Sequence, residues 1–338
     1  MIAQQPSAFQ PGRDPPPWQV ELARAVASPL ELLRLLEIDP DAAGLALSAP
    51  TRFRQRVPHA FIARMRRGDP ADPLLRQVLP LAAEDMPAAG FNLDPVGDRS
   101  AEESPGVLHK YRGRALLITT GACAIHCRYC FRRHYPYGES TAAADGWATA
   151  LRHLAAQPQI EEVILSGGDP LALTDDRLAD LVRQMETIPH VRRLRLHTRL
   201  PVVLPARVDD RLLGWLANTR LQRVVVIHAN HGNEIDATVA RALADLRHVG
   251  ATLLNQSVLL KVVNDDVGVL RELSEKLMAT GVLPYYLHQL DRVAGAAHFE
   301  VDDDTALGLI DELRQCLPGY LVPSLVREIP GAPCKQPL

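Results

Sequence analysis

The sequence contains few cysteines, no long hydrophobic run and no large excess of charge of either sign. Five cysteines among 338 residues, without a secretion signal, argue against a disulfide framework. Cys316, at the end of the last helix-like segment, is expected to be a buried apolar residue. No segment approaches the apolar length that spans a bilayer, and residues 1–26 lack the apolar core of a signal peptide. We therefore expect a cytoplasmic protein that contacts no membrane.

The composition restricts the partners and suggests a division into two regions. The formal net charge is −3, and basic and acidic residues are mixed, so we expect no nucleic-acid binding. The Pro- and Gln-rich residues 1–17 are expected to be poorly ordered, and apolar residues at helical spacing follow them. We expect residues 1–104 to form a helical N-terminal region, which the polar segment Gly97–Gly106 links to residues 105–338.

Strand-like and helix-like segments alternate through the second region. The strand-like runs are Ala115–Thr119, Glu162–Ser166, Val191–Thr198, Arg223–Ala229, Thr252–Lys261 and Leu283–Gln289. An amphipathic segment follows each run, which predicts an α/β fold of parallel strands joined by right-handed helical crossovers. We interpret the six units as an incomplete (β/α)6 TIM-like barrel. In such barrels the chemistry gathers at the C-terminal ends of the strands.

Three of the five cysteines follow the first predicted strand. Cys123, Cys127 and Cys130 have C-x3-C-x2-C spacing, and thiolates are the ligands that hold [4Fe–4S] clusters. Three thiolates leave one iron open to a small molecule, as radical S-adenosylmethionine chemistry requires. The alternative is a structural zinc site with His126 or His134 as the fourth ligand. The spacing favours the cluster.

Polar residues also follow the later strands. Gly167 and Gly168 come after the second strand, where they either form a simple turn or let backbone carbonyls approach the amino group of a bound methionine moiety. His228 ends the fourth strand and is either a buried core histidine or part of a polar pocket. Lys335 follows a Gly/Pro turn near position 331. It is either an exposed charge or a lysine held in place for Schiff-base formation.

Together these motifs resemble the lysine 2,3-aminomutase family of radical S-adenosylmethionine enzymes over most of residues 50–338. The similar stretches are LLITTGACAIHCRYCFRR, VILSGGDPL, PVVLPAR, HANHGNEI, NQSVLLKVVND and YYLHQLDRVAGAAHF. The resemblance is strongest to the short bacterial members that make β-lysine for attachment to elongation factor P. It implies a barrel enzyme that uses a [4Fe–4S] cluster, S-adenosylmethionine and pyridoxal 5′-phosphate.

The resemblance also implies roles for individual positions of this chain. The cluster ligands would be the three cysteines, and Lys335 would form a Schiff base with pyridoxal phosphate. The residues implied to hold its phosphate group are Lys110, where the family has arginine, Tyr111 and Arg114. The residues expected beside S-adenosylmethionine are Ser166, Gly167, Gly168, Asp169, His228 and Gln256. The residues implied to bind the substrate are Arg132, at the carboxylate, and Asp291 and Glu328, at the distal amino group. At the position of Glu328, the long-type members have aspartate.

The implied reaction is migration of the α-amino group of L-lysine to Cβ, which gives β-lysine. The implied partners are an electron donor such as a flavodoxin or ferredoxin, with a functional link to elongation factor P and its ligase. Two alternatives remain open from the sequence. One is an aminomutase for another amino acid, glutamate or arginine, although Asp291 favours a cationic side chain. The other is a zinc-stabilised binding module without catalytic activity.

Overall fold

The computed structural model describes residues 14–45 and 53–338. Most of the segment 1–17, for which the sequence predicts little order, therefore lies outside the described residues. Within the described ranges, no helix combines the length and the apolar character that a membrane span requires.

In the described part of the N-terminal region there are five short α-helices. They are α1 (Pro17–Ala23), α2 (Pro29–Leu35), α3 (Pro40–Ala43), α4 (His59–Ile62) and α5 (Pro73–Arg76). The Ser28 hydroxyl caps α2 by accepting a hydrogen bond from the Glu31 amide at 3.3 Å, and Pro29 occupies the first helical position. Helices α4 and α5 are short. Each spans four residues, because turns replace the helical hydrogen-bonding pattern beyond them.

Among the described residues, ten strands form one sheet whose spatial order follows the chain. They are β1 (Glu102–Ser104), β2 (Val107–Tyr111), β3 (Arg114–Thr120), β4 (Glu162–Gly167), β5 (Arg193–Thr198), β6 (Gln222–Ile227), β7 (Thr252–Val258), β8 (Leu283–His288), β9 (Ser324–Arg327) and β10 (Gln336–Pro337). Strands β3 to β9 are parallel, whereas β1, β2 and β10 add antiparallel pairs at the two ends. Within the described ranges no pairing joins β1 to β10, so the barrel is incomplete, as the sequence predicts.

Helices follow the six parallel strands from β3 to β8. They are α6 (Ala148–Ala155), α7 (Asp175–Glu186), α8 (Leu200–Val203), α9 (Asp210–Asn218), α10 (Ala237–His248), α11 (Val267–Ala279) and α12 (Asp303–Cys316). The (β/α)6 prediction is confirmed, and the short seventh parallel strand β9 is an addition to it. The expectation that Cys316 is buried is wrong, because this residue ends α12 on an exposed face.

The alternation of side chains along the strands sends polar groups into the barrel. In β5, Leu194 and Leu196 are buried in the main hydrophobic core. Arg195 and His197, which alternate with them, line the cavity inside the barrel. The fold therefore exposes titratable groups to an interior space at the strand ends while it buries the leucines against the outer layer.

The segment Gly97–Gly106 is not a linker, and that prediction is wrong. Strand β1 begins within it and pairs with β2 as the edge of the sheet. The N-terminal region and the barrel also share one hydrophobic core, in which Trp18 and Leu75 belong to the same buried cluster as Leu165 and Leu196. The polar composition of the segment reflects a short edge strand and its turn.

A buried arginine connects the N-terminal region to the barrel. Arg207 is fully buried; its Nε donates to the Leu171 carbonyl at 2.7 Å, and its Nη2 donates to Asp175 Oδ1 at 2.8 Å. The guanidinium carbon lies 4.6 Å from the centre of the Trp18 ring of α1, within the range of a cation–π contact. One side chain thus holds α1, the start of α7 and the loop after α8 together.

Replacing Arg207 by alanine is expected to lower the free energy of unfolding by about 3–5 kcal/mol, because Asp175 keeps a buried charge without its partner. Arg211→Ala is the matched control. Arg211 pairs with Asp176 at 2.6 Å on an exposed surface, and such pairs contribute about 0–1 kcal/mol. Urea unfolding followed by circular dichroism measures both losses. Similar losses in the two variants would contradict the proposed role of Arg207.

Candidate active site

One cavity at the C-terminal ends of the parallel strands collects every site residue that the sequence predicts. The cavity is lined by the cysteines after β3, the Ser166–Asp169 turn after β4, polar residues of β6 to β8, and the C-terminal Lys335. Their individual roles stay predictions, but their convergence is a property of the fold. Parallel strands bring their carboxyl ends to one edge of the sheet.

The cysteine loop is fixed to the barrel by backbone contacts with the neighbouring glycines. The Gly168 amide donates to the Thr120 carbonyl at 2.6 Å, and the Asp169 amide donates to the Ala122 carbonyl at 2.8 Å. A Cβ atom on Gly167 would lie 2.5 Å from the Thr120 oxygen, and one on Gly168 would lie 2.3 Å from the Ala122 oxygen. The glycines are therefore required for close approach to the cysteine loop.

The arrangement of the thiols favours a cluster over a zinc ion. The sulfur atoms of Cys123, Cys127 and Cys130 do not all lie within 4.8 Å of one another. A tetrahedral zinc ion with bonds of about 2.3 Å needs sulfurs about 3.8 Å apart. Of the histidines considered as a fourth ligand, His126 bonds the Arg54 carbonyl through Nδ1 at 2.7 Å, and His134 bonds the Ala294 carbonyl through Nε2 at 3.0 Å; each has a second ring nitrogen outside this bond, so these contacts do not distinguish the two interpretations.

Burial keeps the thiols of Cys123 and Cys130 protonated. It raises the pKa of Cys123 above its usual value, with Cys130 as a further contributor, and it raises the pKa of Cys130 to about 11, assisted by Cys127. Thiolate ligation to a metal must therefore displace protons from the site. Together with Cys127, these two thiols face the cavity and form a donor set suited to iron.

Arg199 is a functional residue to which the sequence analysis gave no role. Its Nη1 donates to the Cys127 sulfur at 2.7 Å, and its Nη2 donates to Gln77 Oε1 at 2.6 Å and to Glu234 Oε2 at 2.9 Å. The side chain is buried. In the sequence, the polar residues at the end of β5 were the available signal for Arg199, but the partners of its side chain lie in segments far away along the chain. A cation next to a cluster ligand affects the electrostatics of any cluster bound there.

A chain of alternating charges runs along the other side of the cavity. Asp98 accepts a hydrogen bond from Arg132 Nε at 2.6 Å and forms an ion pair with Lys110 Nζ at 2.7 Å, and Lys110 also lies 3.6 Å from Glu328. Glu328 in turn accepts from Lys335 Nζ at 2.7 Å. Sequence reasoning missed Asp98, because it lies in the segment interpreted as a linker. Burial alone would raise the pKa of Asp98, but Arg132 and Lys110 outweigh it and hold the pKa below its usual value.

The C-terminal hairpin carries Lys335 into the cavity. Gly331 adopts a left-handed conformation with φ of 77°, and Gln336 then pairs with Arg327 as β10 returns along β9. The Lys335 amine is directed to Glu328, which also accepts a hydrogen bond from Tyr111 at 2.6 Å. Strand pairing thus positions a lysine whose sequence setting also suited an exposed charge.

Several polar atoms in the cavity lack a protein partner. Within the described part of the chain, Gln256 Nε2 and His197 Nε2 are buried and form no hydrogen bond, and both residues line the cavity. Burial, with help from Arg199, lowers the pKa of His228 to about 4, so this imidazole is neutral near pH 7. Neutral groups with unused donors or acceptors are suited to a polar ligand.

Two polar residues near the cavity have structural uses. Asp169 accepts from the Thr198 hydroxyl and the Arg199 amide, both at 2.7 Å, and caps the turn that follows β4. His231 accepts from the Asn233 amide at 3.0 Å and does not line the cavity. Neither side chain needs a ligand to complete its hydrogen bonding.

Comparison with known proteins agrees with this geometry. The model of the Radical SAM superfamily matches residues 117–266, which span β3 to the start of α11. The chain is 52% identical to the L-lysine 2,3-aminomutase of Escherichia coli, over 95% of this chain and 94% of that protein. It is 49% identical to that of Haemophilus influenzae, over 94% of each chain, and 32% identical to that of Clostridium subterminale, over 95% of this chain and 77% of that protein.

The fold, the cysteine loop and the domain match define a radical S-adenosylmethionine enzyme. Within that class, the chain belongs to the L-lysine 2,3-aminomutase family, which consists of isomerases. Membership of the class implies a [4Fe–4S] cluster and S-adenosylmethionine. The residues present fit both groups, because three thiols and the buried unpaired donor of Gln256 face the same cavity.

Replacing Arg199 by glutamine is expected to make the reduction potential of the cluster more negative. The arginine donates a charge-assisted hydrogen bond to a ligand sulfur, which favours the reduced cluster. Redox titration of the anaerobically reconstituted protein, followed by electron paramagnetic resonance, measures the potential. Arg192→Gln removes the same charge from an exposed position before the start of β5 and is the control. An Arg199→Gln potential equal to that of the wild type would contradict the contact.

Proposed function

We propose that this protein converts L-lysine to β-lysine by moving the α-amino group to Cβ, with pyridoxal phosphate as a cofactor beside the cluster and S-adenosylmethionine. The main support is that Lys335, Arg132 and Asp291 line the same cavity as the three cysteines. A lysine amine, a guanidinium and a carboxylate are the groups needed to hold an aldehyde cofactor, a carboxylate and an ammonium group. The names of the similar proteins add to this support.

When bound, the cofactors supply a carbon radical that removes hydrogen from Cβ and a ring that stabilises spin beside the migrating nitrogen. The protein's own residues bind and orient the substrate. Arg132 meets the α-carboxylate, because its planar fork suits that group, and Asp98 and Ser166 already hold the guanidinium at 2.6 Å and 3.1 Å. Orientation is therefore set before lysine enters.

Asp291 is proposed to bind the distal ammonium group of lysine. Burial raises its pKa to about 7, and the nearby Lys335 opposes that rise. A second ammonium group would stabilise the ionised carboxylate further, so lysine binding and ionisation of Asp291 favour each other. This preference for a cation disfavours glutamate as the substrate.

Glu328 is proposed to serve Lys335 first and the substrate second. Burial alone would raise the pKa of Glu328, but Lys335 and Tyr111 outweigh it and keep the group ionised. The carboxylate holds the Lys335 side chain in place, and the amine must lose its proton before it can attack a carbonyl. Once the Lys335 amine no longer contacts Glu328, a Glu328 oxygen becomes available to the distal ammonium group of the substrate lysine.

The phosphate of pyridoxal phosphate is proposed to lie near Lys110, Tyr111 and Arg114. The Arg114 guanidinium lies 4.4 Å from the centre of the Tyr111 ring, so the ring and two cations share one side of the cavity. Lys110 carries the same charge as the arginine that the family has at this position, but its ammonium group offers a point charge instead of the planar set of donors of a guanidinium.

The β-lysine product is proposed to serve modification of elongation factor P, as the resemblance to short bacterial members implies. The electron donor is proposed to be a flavodoxin or ferredoxin.

Anaerobic incubation with L-lysine, S-adenosylmethionine, pyridoxal phosphate and a reductant tests the function. We expect β-lysine, detected by chiral chromatography, and none when pyridoxal phosphate is omitted. Parallel reactions with L-glutamate and L-arginine test the alternative substrates. Cleavage of S-adenosylmethionine without any β-amino acid would contradict the proposal.

The pH dependence of lysine binding is expected to follow Asp291. Below about pH 7 its carboxyl group is protonated and neutral, so the KM for L-lysine should rise roughly tenfold per pH unit, with a smaller effect on kcat. Asp291→Asn should raise KM at pH 8 and flatten the profile. Norleucine, which lacks the distal ammonium group, is the control substrate and should show no such dependence. An unchanged profile in Asp291→Asn would place the responsible group elsewhere.

Lys335 is expected to be the residue that binds pyridoxal phosphate covalently. Borohydride reduction of the loaded protein, followed by peptide mass spectrometry, should find the pyridoxyl group on the peptide that contains Lys335. Lys335→Ala and Lys335→Arg should both lose the label and retain their iron content, because neither side chain can condense with the aldehyde. Lys276→Ala is the control and should keep the label. A label on Lys261 or Lys276 would refute the assignment.

A further inference from the structure

A second group of metal-binding side chains lies outside the cavity. Glu103, His109 and His153 place three donor atoms within 4.8 Å of one another. We propose that these residues form a binding site for a divalent transition metal such as Zn²⁺. None of them lines the active-site cavity, and the proposal is independent of the proposed function.

Two of the three distances between the donor atoms are close to those around a bound zinc ion, and the third is no more than 4.8 Å. Glu103 Oε2 lies 3.2 Å from His109 Nδ1 and 3.2 Å from His153 Nε2. Zinc bonds to nitrogen and oxygen of about 2.0–2.1 Å, in tetrahedral geometry, place neighbouring donors about 3.3–3.4 Å apart. An ion therefore fits among these three side chains with only small movements.

The hydrogen bonding distinguishes this group from an ordinary surface ion pair. His109 Nδ1 has a hydrogen bond to Glu103. His153 Nε2, in contrast, is shielded from solvent and has no hydrogen-bond partner in the described part of the chain, although the carboxylate is close by. A metal ion that accepts the lone pair of His153 Nε2 would give this buried nitrogen the partner that the present contacts do not provide.

The fold explains how three separate elements deliver these ligands. Glu103 belongs to the edge strand β1, His109 to β2 and His153 to α6. His109 does not line the cavity; its ring instead contacts Glu103 and lies 6.3 Å from the His153 ring, measured between ring centres. A metal ion would tie the edge strand and the hairpin to the first barrel helix.

The exposure of the ligands suits three protein ligands with a water as the fourth. The Glu103 side chain is 44% exposed, whereas those of His109 and His153 are 11% and 15% exposed. A metal ion thus has a path from solvent on the carboxylate side, and the two histidines lie behind it. Nitrogen and oxygen ligands in this ratio favour zinc and similar ions over calcium or magnesium.

Titration of the cluster-loaded protein with Zn²⁺ under anaerobic conditions tests the site. Iron occupies Cys123, Cys127 and Cys130 in this form, and Cys316→Ser and Cys334→Ser in the same background remove the two remaining exposed thiols. Isothermal titration calorimetry should find one equivalent of Zn²⁺, and the metal should raise the melting temperature by binding the folded state. In Glu103→Gln and His153→Gln the affinity should fall at least about tenfold. His248→Gln, an exposed histidine at the end of α10, is the matched control and should bind as the wild type does.

Difference absorption spectra of the cluster-loaded wild-type protein, with and without Co²⁺ in place of zinc, provide a second measurement that does not depend on the folding of any variant. Nitrogen and oxygen ligation gives visible bands without thiolate charge-transfer absorption, and this spectrum in the wild type would support the site. Thiolate charge-transfer bands would mean that the metal binds cysteine and would overturn the proposal. Unchanged Zn²⁺ affinity in both Glu103→Gln and His153→Gln would overturn it equally.

Discussion

The buried guanidinium of Arg199 is the contact on which the geometry of the active site depends most. It joins the Cys127 sulfur of the cysteine loop, Gln77 of the N-terminal region and Glu234 after β6. A buried charge that loses one partner is strongly destabilising, so these three segments must keep their relative positions. The N-terminal helices are therefore part of the active-site architecture, and the cysteine loop is positioned before any cofactor binds.

A second constraint is the charge balance on the opposite side of the cavity. Arg132, Asp98, Lys110, Glu328 and Lys335 alternate in sign and are linked by contacts of 2.6 to 3.6 Å. Each carboxylate thereby holds two cations in place, which orients the groups that the substrate and cofactor are proposed to meet. Because the carboxylates already hold these cations in place, the cationic side chains lose less conformational freedom when an anionic group binds to them.

The sequence predicted the features that local patterns determine. Strand–helix alternation predicted the six barrel units, and the cysteine spacing predicted the loop after β3. It did not predict β1 or β9, which have three and four residues, because such short strands depend on pairing with distant segments. Asp98 was missed for the same reason. Its local sequence is that of a loop, and its importance comes from two cations that lie far along the chain.

The central claim is that three thiols bind a [4Fe–4S] cluster with one iron open to S-adenosylmethionine in this cavity. Mössbauer spectroscopy of protein reconstituted anaerobically with ⁵⁷Fe tests it most directly. The account predicts that one iron site of the four in a cubane cluster changes its spectrum when S-adenosylmethionine is added. A spectrum that does not respond to S-adenosylmethionine, or a purified protein that holds zinc at the cysteines and takes up no iron, would contradict it.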